Sequence, residues 1–414
     1  MNSRLQVDGA RLTRELEHLA TFSDTPAPAV TRVLYTEQDM KARAWFKTLC
    51  EEAGLEIRED ALGNVFARWH GAEPGLSAVA TGSHIDAIPH SGRYDGTVGV
   101  LGGLEAIRAL QKSGFEPRRS LDLILFTSEE PTRFGIGCLG SRAMAGVLSP
   151  TDIRHLKDED GRNPDTVRCE AGFTGRLSDV HLSEDFYHAF VELHIEQGPL
   201  LEQKGLDIGV VTAIAAPATL NLTLTGSGGH AGAVLMPERR DALLAGAEIA
   251  LAVEEAARTS GSVDTVATVG VFDVHPRAVN SIPSHVTMTI DARDTDLARR
   301  DHMVERIKKA VEDISSGRNV GAELSVLNAD PPAVCAPEVI RGVEAAAKDL
   351  GLSSLPMVSR AYHDTLFMAR LCPVGMIFIP CRDGVSHRTD EYASPEAIWN
   401  GVQTLALTLA GLAI

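Results

Sequence analysis

The stretch LSAVATGSHIDAIPHSGRYDGTVGVLGGLEAIRALQKSG, residues 76–114, decides the fold. It opens with an apolar run of strand length, crosses a polar turn that contains glycines, and continues with the apolar periodicity of a helix. A buried strand that leads directly into a helix is the repeating unit of α/β folds. The turn contains His84, Asp86 and Asp95, whose side chains are of the kinds that bind metals or cap helices. The same stretch therefore predicts a fold class and a candidate site.

Strand-length apolar runs alternate with helical patterns on both sides of this stretch. Examples of such runs are SLDLILFT, AFVELHI and PVGMIFIP. Near the C-terminus, SPEAIWNGVQTLALTLAGLA predicts an amphipathic helix capped by Ser394, with Pro395 at its first position. The alternation predicts a main α/β domain formed by residues 1–212 and 330–414, with a mixed, mostly parallel sheet flanked by helices.

Residues 213–329 follow a different pattern. Their strand and helix signals come in the order βαββαβ, from the strand ATLNLTLTG to the strand AELSVLNA. That order is typical of the ferredoxin-like arrangement. We therefore expect a smaller domain here, inserted into the main one.

The composition is that of a globular protein: 414 residues, 44% of them hydrophobic, with a formal net charge of −17. The negative charge repels polyanions, which argues against nucleic acid and anionic membranes as partners. No run approaches the roughly 18 apolar residues of a membrane helix, and the first residues lack the apolar core of a secretory signal. The six cysteines form no Cys-x-x-Cys pair, so we expect reduced thiols and a cytoplasmic protein.

Histidine and acidic residues follow four of the predicted strands. His84 ends the first apolar run, a Glu pair follows SLDLILFT, His194 closes AFVELHI, and His387 comes a short loop after PVGMIFIP. The carboxyl ends of strands in an open α/β sheet form one crevice, so these side chains can converge. One such residue alone is more often a helix cap or a hydrogen-bonded polar group, but together they predict a metal site. Imidazole and carboxylate without thiolate suit Zn²⁺ or Mn²⁺ in a hydrolytic site.

Three acidic residues extend this hypothesis. Asp95 follows His84 across a glycine-containing turn, so its carboxylate can fold back and bridge two cations. Of the adjacent Glu129 and Glu130, one can bind metal while the other acts as a general base on a metal-bound water. The alternative for this pair is a solvated acidic turn, which its position after a buried strand disfavours. We expect Asp86 to orient the His84 ring.

A competing signal is GIGCLG, residues 135–140, which matches the Gly-x-Gly-x-x-Gly fingerprint of dinucleotide binding. That fingerprint requires its glycines at the first strand-to-helix turn, whereas EEPTRF intervenes here. We therefore rank nucleotide binding below metal-dependent hydrolysis and expect these glycines to serve close packing.

The inserted domain contains three further candidates for ligand binding. His230 lies in the Gly-rich stretch GSGGHAGAVLMP, where backbone can approach a ligand closely. Asn280 and Arg293 flank neighbouring strands, and Arg293 has the fork geometry that binds a carboxylate. An ordinary surface arginine is the alternative for Arg293.

Six motifs occur in order along nearly the whole chain: GSHIDAIP…GRYDG, FTSEEPTRFG…CLGSR, ELHIEQGP, GGHAGAVLMP, VNSIP…DARD and GMIFIPCRDGVSH. They resemble the dinuclear-metal amidohydrolases of the hydantoinase/carbamoylase family, which includes N-carbamoyl-L-amino acid hydrolases, allantoate amidohydrolases and ureidoglycolate amidohydrolases. Within that family, SEEPTRFG, LDIGVVTAIAAPATL and SRAYHDTLFMAR are most similar to the ureidoglycolate enzymes.

The resemblance implies a role for each matching residue and an assembly for the chain. It implies two divalent cations per subunit, Mn²⁺ or Zn²⁺ with Mn²⁺ favoured, and Glu129 as the general base. The implied metal ligands are His84, Asp95 as the bridge, Glu130, His194 and His387. The implied substrate-binding residues are Gln197, His230, Asn280, Arg293 and His363. His230 and Asn280 are expected to reach a neighbouring subunit's site, which implies a homodimer with residues 213–329 as a lid and dimerisation domain.

The resemblance also implies hydrolysis of the C–N bond of a ureido (N-carbamoyl) acid, with ureidoglycolate converted to glyoxylate, ammonia and carbon dioxide. In the expected mechanism two cations lower the pKa of a bridging water, Glu129 takes its proton, and His230 stabilises the developing oxyanion. Arg293 is expected to hold the substrate carboxylate. An N-carbamoyl-L-amino acid hydrolase or allantoate amidohydrolase is the alternative, followed by an aminoacylase or dipeptidase and by a non-catalytic binding protein.

Overall fold

The computed structural model describes residues 5–414, which form two compact units. Unit 1 comprises the described residues up to Thr212 together with Val334–Met357 and His363–Ile414. Unit 2 comprises Ala213–Ala333 and Val358–Tyr362.

The secondary structure of the described chain is numbered here in chain order. The strands are β1 (Val30–Arg32), β2 (Glu56–Glu59), β3 (Val65–Trp69), β4 (Ala78–His84), β5 (Ala87–Ser91), β6 (Leu121–Phe126), β7 (Tyr187–Ile195), β8 (Ile208–Ile214), β9 (Ala216–Thr225), β10 (Gly229–His230), β11 (Val266–His275), β12 (Ser281–Ile282), β13 (His285–Asp294), β14 (Gly321–Ala329), β15 (Ala333–Val334), β16 (Ser354–Ser359) and β17 (Val374–Ile379). The α-helices are α1 (Gly9–Thr21), α2 (Glu37–Glu52), α3 (Thr97–Ser113), α4 (Leu139–Met144), α5 (Pro150–His155), α6 (Pro164–Glu170), α7 (Leu200–Lys204), α8 (Ala242–Arg258), α9 (Leu297–Gly317), α10 (Pro337–Asp349), α11 (Thr365–Met368) and α12 (Pro395–Leu412). Within residues 5–414, none of these helices combines the length and apolarity needed to cross a membrane.

The main sheet has the order β15-β8-β17-β7-β4-β6-β3-β2, with β16 beside β8. The four central strands β17, β7, β4 and β6 are parallel to one another. Towards one edge β3 and β2 run antiparallel to their neighbours, and β8 does so on the other side. The predicted mixed α/β sheet is confirmed, with four parallel strands at its centre.

The central strands are buried on both faces over almost their whole length, which explains why apolar residues dominate them without strict alternation. In β6, Leu123 packs into the cluster that includes α1, α3, α10 and α12 on one face of the sheet. The next residue, Ile124, packs into the cluster that includes α4, α5, α6 and α11 on the other face. The last helix begins as predicted, since Ser394 Oγ accepts a hydrogen bond from the Ala397 N–H at 3.1 Å.

The polar turn between β4 and α3 contains a strand that the sequence does not predict. Residues 87–91 form β5, which pairs antiparallel with the short β1 near the start of the chain. The segment AIPHS is too short, and too polar, to give an alternation signal. The pairing fixes the path by which the chain returns toward Asp95.

Unit 2 contains an antiparallel four-stranded sheet of order β11-β13-β9-β14, with α8 and α9 on one face. In β9, Leu220 and Leu222 are buried against Ile249 of α8 and Ile307 of α9. The intervening Asn221 is exposed, as expected for a strand with one buried face. The four strands of this sheet and the two helices follow the chain order βαββαβ of a ferredoxin-like arrangement, and the short strands β10 and β12 pair separately.

Candidate active site

Five residues converge at the carboxyl ends of the parallel strands. His84 is the last residue of β4, and His194 lies one residue before the end of β7. Glu130 and His387 lie in the loops after β6 and β17, and Asp95 lies just before α3. We call these five side chains the ligand cluster. Their ligand atoms form two groups that share Asp95, and within each group the atoms lie within 4.8 Å of one another.

Asp95 turns one carboxylate oxygen toward each group. Its Oδ1 lies 3.5 Å from His84 Nε2 and 3.2 Å from His194 Nε2. Its Oδ2 lies 3.5 Å from His387 Nε2, which in turn lies 3.2 Å from Glu130 Oε1. A carboxylate that faces two sets of ligands with different oxygens has the geometry of a bridging ligand.

The two buried histidines present Nε2 to Asp95. His84 Nδ1 lies 3.0 Å from the carbonyl oxygen of Asp86, and His194 Nδ1 lies 2.9 Å from the carbonyl oxygen of Ile195. Because a carbonyl only accepts hydrogen bonds, Nδ1 carries the proton of each ring, and a neutral ring then has its lone pair on Nε2. The buried His84 Nε2 has no hydrogen-bond partner among residues 5–414.

The spacing of the ligand cluster fits divalent cations. Charge-assisted N–H···O bonds to carboxylates are about 2.7–2.9 Å long, whereas the four separations between histidine and carboxylate here are 3.2–3.5 Å. Ligand atoms bonded at about 2.1 Å to one tetrahedral ion lie about 3.4 Å apart. Three imidazoles and two carboxylates, with no thiolate, also match the ligand preference of Zn²⁺ or Mn²⁺. The residues present therefore fit a two-cation site.

The carboxyl groups of the site have pKa values shifted in opposite directions. Burial disfavours ionisation of Asp95, but His194 and His84 outweigh burial and hold its pKa well below the usual range. Burial raises the pKa of Glu129 well above its usual value, and His84 offsets this only in part. Asp95 thus has the character of a ligand that stays ionised, and Glu129 that of a group that accepts a proton.

Glu129 lies beside the ligand cluster and belongs to neither of its two groups. Its Oε2 lies 3.8 Å from His84 Nε2, and its Oε1 accepts a weak hydrogen bond from Cys138 Sγ at 3.8 Å. The neighbouring Glu130 points to His387 instead. The two adjacent glutamates therefore differ in environment, as different roles require.

Asp86 organises the segment that carries both glutamates. Its carboxylate accepts hydrogen bonds from the backbone N–H groups of Glu129 at 3.2 Å and Glu130 at 3.0 Å. His84 Nδ1 lies 3.0 Å from the backbone carbonyl oxygen of Asp86 and 3.5 Å from the Asp86 carboxylate, so the carbonyl is the closer partner. The orientation of the His84 ring by the Asp86 carboxylate stays a prediction, and the contact with the two amides adds a role that the sequence did not indicate.

Several residues around the ligand cluster have a left-handed backbone. The φ angles of Ser128, Gln197 and His387 are +56°, +55° and +59°. Such conformations cost about 1–3 kcal/mol each in non-glycine residues and are concentrated at functional sites. Gln197 directs Nε2 to Asp95 Oδ2 at 2.6 Å, while its Oε1 has no hydrogen-bond partner in the described part of the chain.

Two residues near His387 join the site although the sequence analysis did not single them out. Ser386 Oγ contacts Asp95 Oδ2. Glu391 accepts hydrogen bonds from the backbone N–H groups of Tyr94 at 2.7 Å and Asp95 at 3.2 Å. These contacts join positions as far as 297 residues apart, and the local sequence SHRTDEY has no periodic signal that would identify them.

His363, which the resemblance assigned to substrate binding, and its neighbour Asp364 are buried in unit 1. The ring of His363 packs edge-on against His194, with a centroid distance of 4.6 Å. Asp364 accepts a hydrogen bond from Ser141 Oγ at 2.5 Å. Burial and the nearby Glu192 raise the pKa of Asp364 to about 8. His363 thus packs against the ligand cluster from the protein interior, whereas the Asp364 carboxylate is bound to α4 through Ser141.

The other residues predicted to bind substrate lie in unit 2. His230 is on β10 and Asn280 directly precedes β12; the two strands pair, and both side chains are exposed. Arg293 makes a bidentate ion pair with Asp291 at 2.6 and 3.0 Å, and its Nη1 donates to the carbonyl oxygen of Arg360 at 3.0 Å. These contacts use three of the five N–H groups of Arg293, so two remain to bind a carboxylate.

The fold and the ligand cluster define a class of protein. A family model described as peptidase family M20/M25/M40 matches residues 80–411. The chain belongs to this family, whose match spans the ligand cluster, Glu129 and most of both units.

Two curated proteins are similar to the chain over its whole length. The ureidoglycolate hydrolases of Oryza sativa subsp. japonica and Arabidopsis thaliana are each 55% identical to the chain, over 420 and 419 aligned residues. The alignments cover 100% of this chain and 86% and 88% of those two proteins. The crystal structure of AtUAH in complex with glyoxylate matches with a TM-score of 0.91 and 54% identity, and the match covers 99% of each chain. The family resemblance predicted from the motifs is confirmed.

Proposed function

We propose that this chain hydrolyses the C–N bond of a ureido acid, with ureidoglycolate as its substrate. The observation that carries the proposal is the ligand cluster with Glu129 beside it, two sets of ligands joined by Asp95. Its donors suit two divalent cations, Mn²⁺ or Zn²⁺, and the resemblance to the hydantoinase/carbamoylase family favours Mn²⁺. The identity of 55% to ureidoglycolate hydrolases supports the choice of substrate.

Glu129 is the proton carrier of the proposed reaction. Cations bound in the ligand cluster would supply Lewis-acid polarisation and lower the pKa of a coordinated water. Glu129 takes the proton of the attacking water and delivers it to the departing nitrogen, a role that its raised pKa and its position outside both ligand groups favour. Asp86 holds the Glu129 backbone in place through its N–H group.

Polar groups with unused hydrogen-bonding capacity bind the substrate. Gln197 Oε1, without a hydrogen-bond partner within residues 5–414, accepts an N–H of the ureido group. Arg293 uses its two remaining N–H groups for the substrate carboxylate. His230 stabilises the negative charge that develops on the carbamoyl oxygen, Asn280 binds beside it, and His363 lines the pocket.

We also propose an assembly for the chain. Residues 213–329 act as a lid and dimerisation domain, and residues 1–212 and 330–414 form the catalytic domain. In a homodimer His230 and Asn280 complete the site of the neighbouring subunit, a role that the exposure of both side chains permits. We expect the dimer to work in the cytoplasm.

The products follow from the two C–N bonds of the ureido carbon. Water adds to this carbon, and the carbon leaves as carbon dioxide after both bonds have broken. One nitrogen is released as ammonia, and the other stays on the remaining fragment, hydroxyglycine. Loss of that second nitrogen as ammonia gives glyoxylate, so ureidoglycolate yields two ammonia molecules for each glyoxylate.

A substrate panel tests this proposal. Metal-free protein is reloaded with Mn²⁺, and ammonia release is compared for ureidoglycolate, allantoate, N-carbamoyl-L-amino acids and an N-acyl amino acid. We expect the highest kcat/KM with ureidoglycolate. A preference for N-carbamoyl-L-amino acids or allantoate would support the proposed reaction but assign a different substrate. Hydrolysis of the N-acyl amino acid alone would refute the proposed specificity for ureido acids.

A further inference from the structure

We infer that Glu391 and Ser386 are a positioning pair that holds Asp95 in its bridging orientation and thereby sets the cation affinity of the ligand cluster, an inference that rests on the proposed function. Neither residue belongs to the two groups of ligand atoms. Both act through Asp95, one on its backbone and the other on its carboxylate.

Glu391 fixes the backbone that carries Asp95. Its side chain is buried, and Oε1 accepts hydrogen bonds from the consecutive N–H groups of Tyr94 at 2.7 Å and Asp95 at 3.2 Å. Two adjacent amides bound to one oxygen fix the orientation of the peptide plane between them. The direction in which the Asp95 side chain leaves the backbone is therefore set by Glu391.

Ser386 fixes the carboxylate of Asp95. Its Oγ lies within hydrogen-bond distance of Asp95 Oδ2 and 3.0 Å from Glu391 Oε2. Gln197 Nε2 donates to the same Oδ2 at 2.6 Å. With Oδ2 held by these contacts, Oδ1 is directed toward the two buried histidines, which is the orientation that a bridge between the two groups requires.

The packing around Glu391 leaves its carboxylate little freedom. A Cβ at Gly92 would lie 2.4 Å from Glu391 Oε1, so the carboxylate packs directly on the backbone of the loop that leads to Asp95. Ser386 and Glu391 belong to the same short segment as His387. One segment therefore supplies a ligand of one group and holds the residue shared by both groups.

Mn²⁺ titration of the metal-free protein tests the pair without any substrate. Isothermal calorimetry compares wild type with Glu391→Ala and Ser386→Ala, and thermal unfolding of each metal-free protein is measured in parallel. Removal of a residue that orients a ligand weakens metal binding by about 10–100-fold. We expect a decrease in Mn²⁺ affinity of this size in both alanine variants. Glu391→Gln keeps the oxygen that accepts the two amides, and Ser386→Thr keeps the hydroxyl, so both should bind Mn²⁺ within a few-fold of wild type.

Asp207→Ala is the matched control for the two alanine variants. Asp207 accepts hydrogen bonds from the N–H of Ser353 at 2.9 Å and from its Oγ at 2.6 Å, the same kinds of donor that Glu391 binds, in the same unit but outside the ligand cluster. We expect unchanged Mn²⁺ affinity in this variant. Equal weakening in Asp207→Ala would overturn the inference, because the effect would then follow from general stability.

Two further results would also overturn it: wild-type affinity in both alanine variants, or no rescue by Glu391→Gln and Ser386→Thr. If Glu391→Ala does not fold, Ser386→Ala and Ser386→Thr decide the question. A wild-type protein that binds two Mn²⁺ ions but releases no ammonia from any ureido acid would refute the proposed function and leave the measured role of the pair intact.

Discussion

A methyl group at residue 96 would collide with the ring of a proposed ligand. Gly96 directly follows Asp95 and has φ +66°, and a Cβ there would lie 2.3 Å from His84 Nε2. Ordinary contact begins near 3.4 Å, so Gly96→Ala requires the ring or the backbone to move by about 1 Å. The ring atom that must move is the one proposed to bind a cation.

The substitution has two separate effects. A positive φ in a non-glycine residue costs about 1–3 kcal/mol of folding free energy, whatever the neighbours. Displacement of a reacting group by about 1 Å costs on the order of 10²-fold in rate. We expect Gly96→Ala to lose about 10–100-fold in Mn²⁺ affinity, as for other disturbances of a ligand's orientation, and to lose turnover at a fixed subsaturating Mn²⁺ concentration.

Gly114→Ala separates these effects. Gly114 lies at the other end of α3 with φ +79°, and a Cβ there would meet no atom within 4 Å. It therefore carries a backbone penalty without the collision. Thermal unfolding should show a loss of stability in both variants, whereas calorimetry and ammonia release should show the loss of Mn²⁺ binding only in Gly96→Ala. Wild-type Mn²⁺ affinity and turnover in Gly96→Ala would refute the role of His84 Nε2 as a ligand atom.

Two further substitutions test the proposed roles of Glu129 and Arg293. Glu129→Gln should still bind two Mn²⁺ ions, but its kcat should fall by about 10²–10⁴-fold, because the amide cannot carry the proton; a kcat near that of wild type would exclude Glu129 as the base. Arg293→Ala should raise KM for ureidoglycolate with little change in thermal stability, since the arginine is half-buried and lies at the end of β13. An unchanged KM would assign the substrate carboxylate to another group.

The convergence of the ligand cluster was predictable because it depends on strand ends. The strands β4, β6 and β7 are mainly apolar; β4 and β7 each carry a histidine at or next to their last residue, and a pair of glutamates follows β6 within a few residues. Once the runs are taken as parallel neighbours, their carboxyl ends must share one edge of the sheet. The antiparallel strands at the edges of the sheet were harder to predict from the sequence. A strand such as β2, with the sequence EIRE, is mostly exposed and has no apolar pattern.

The residues that hold the ligands in place were not predictable from local patterns. The contact of Asp86 with the amides of Glu129 and Glu130 and that of Glu391 with the Asp95 loop are hydrogen bonds across long sequence separations. The left-handed backbone of Gln197 is set by its surroundings, since the residue type alone does not favour positive φ. These features depend on tertiary structure, which one-dimensional periodicity does not report.

The central claim is that two cations, held in two groups joined by Asp95, act together in hydrolysis of a ureido acid. The most direct measurement is a titration of metal-free protein with Mn²⁺ while ammonia release from ureidoglycolate is followed. The rate should rise through the second equivalent of Mn²⁺ per subunit and then reach a plateau. A full rate at one equivalent, or a rate independent of Mn²⁺ in chelator-treated protein, would contradict the claim.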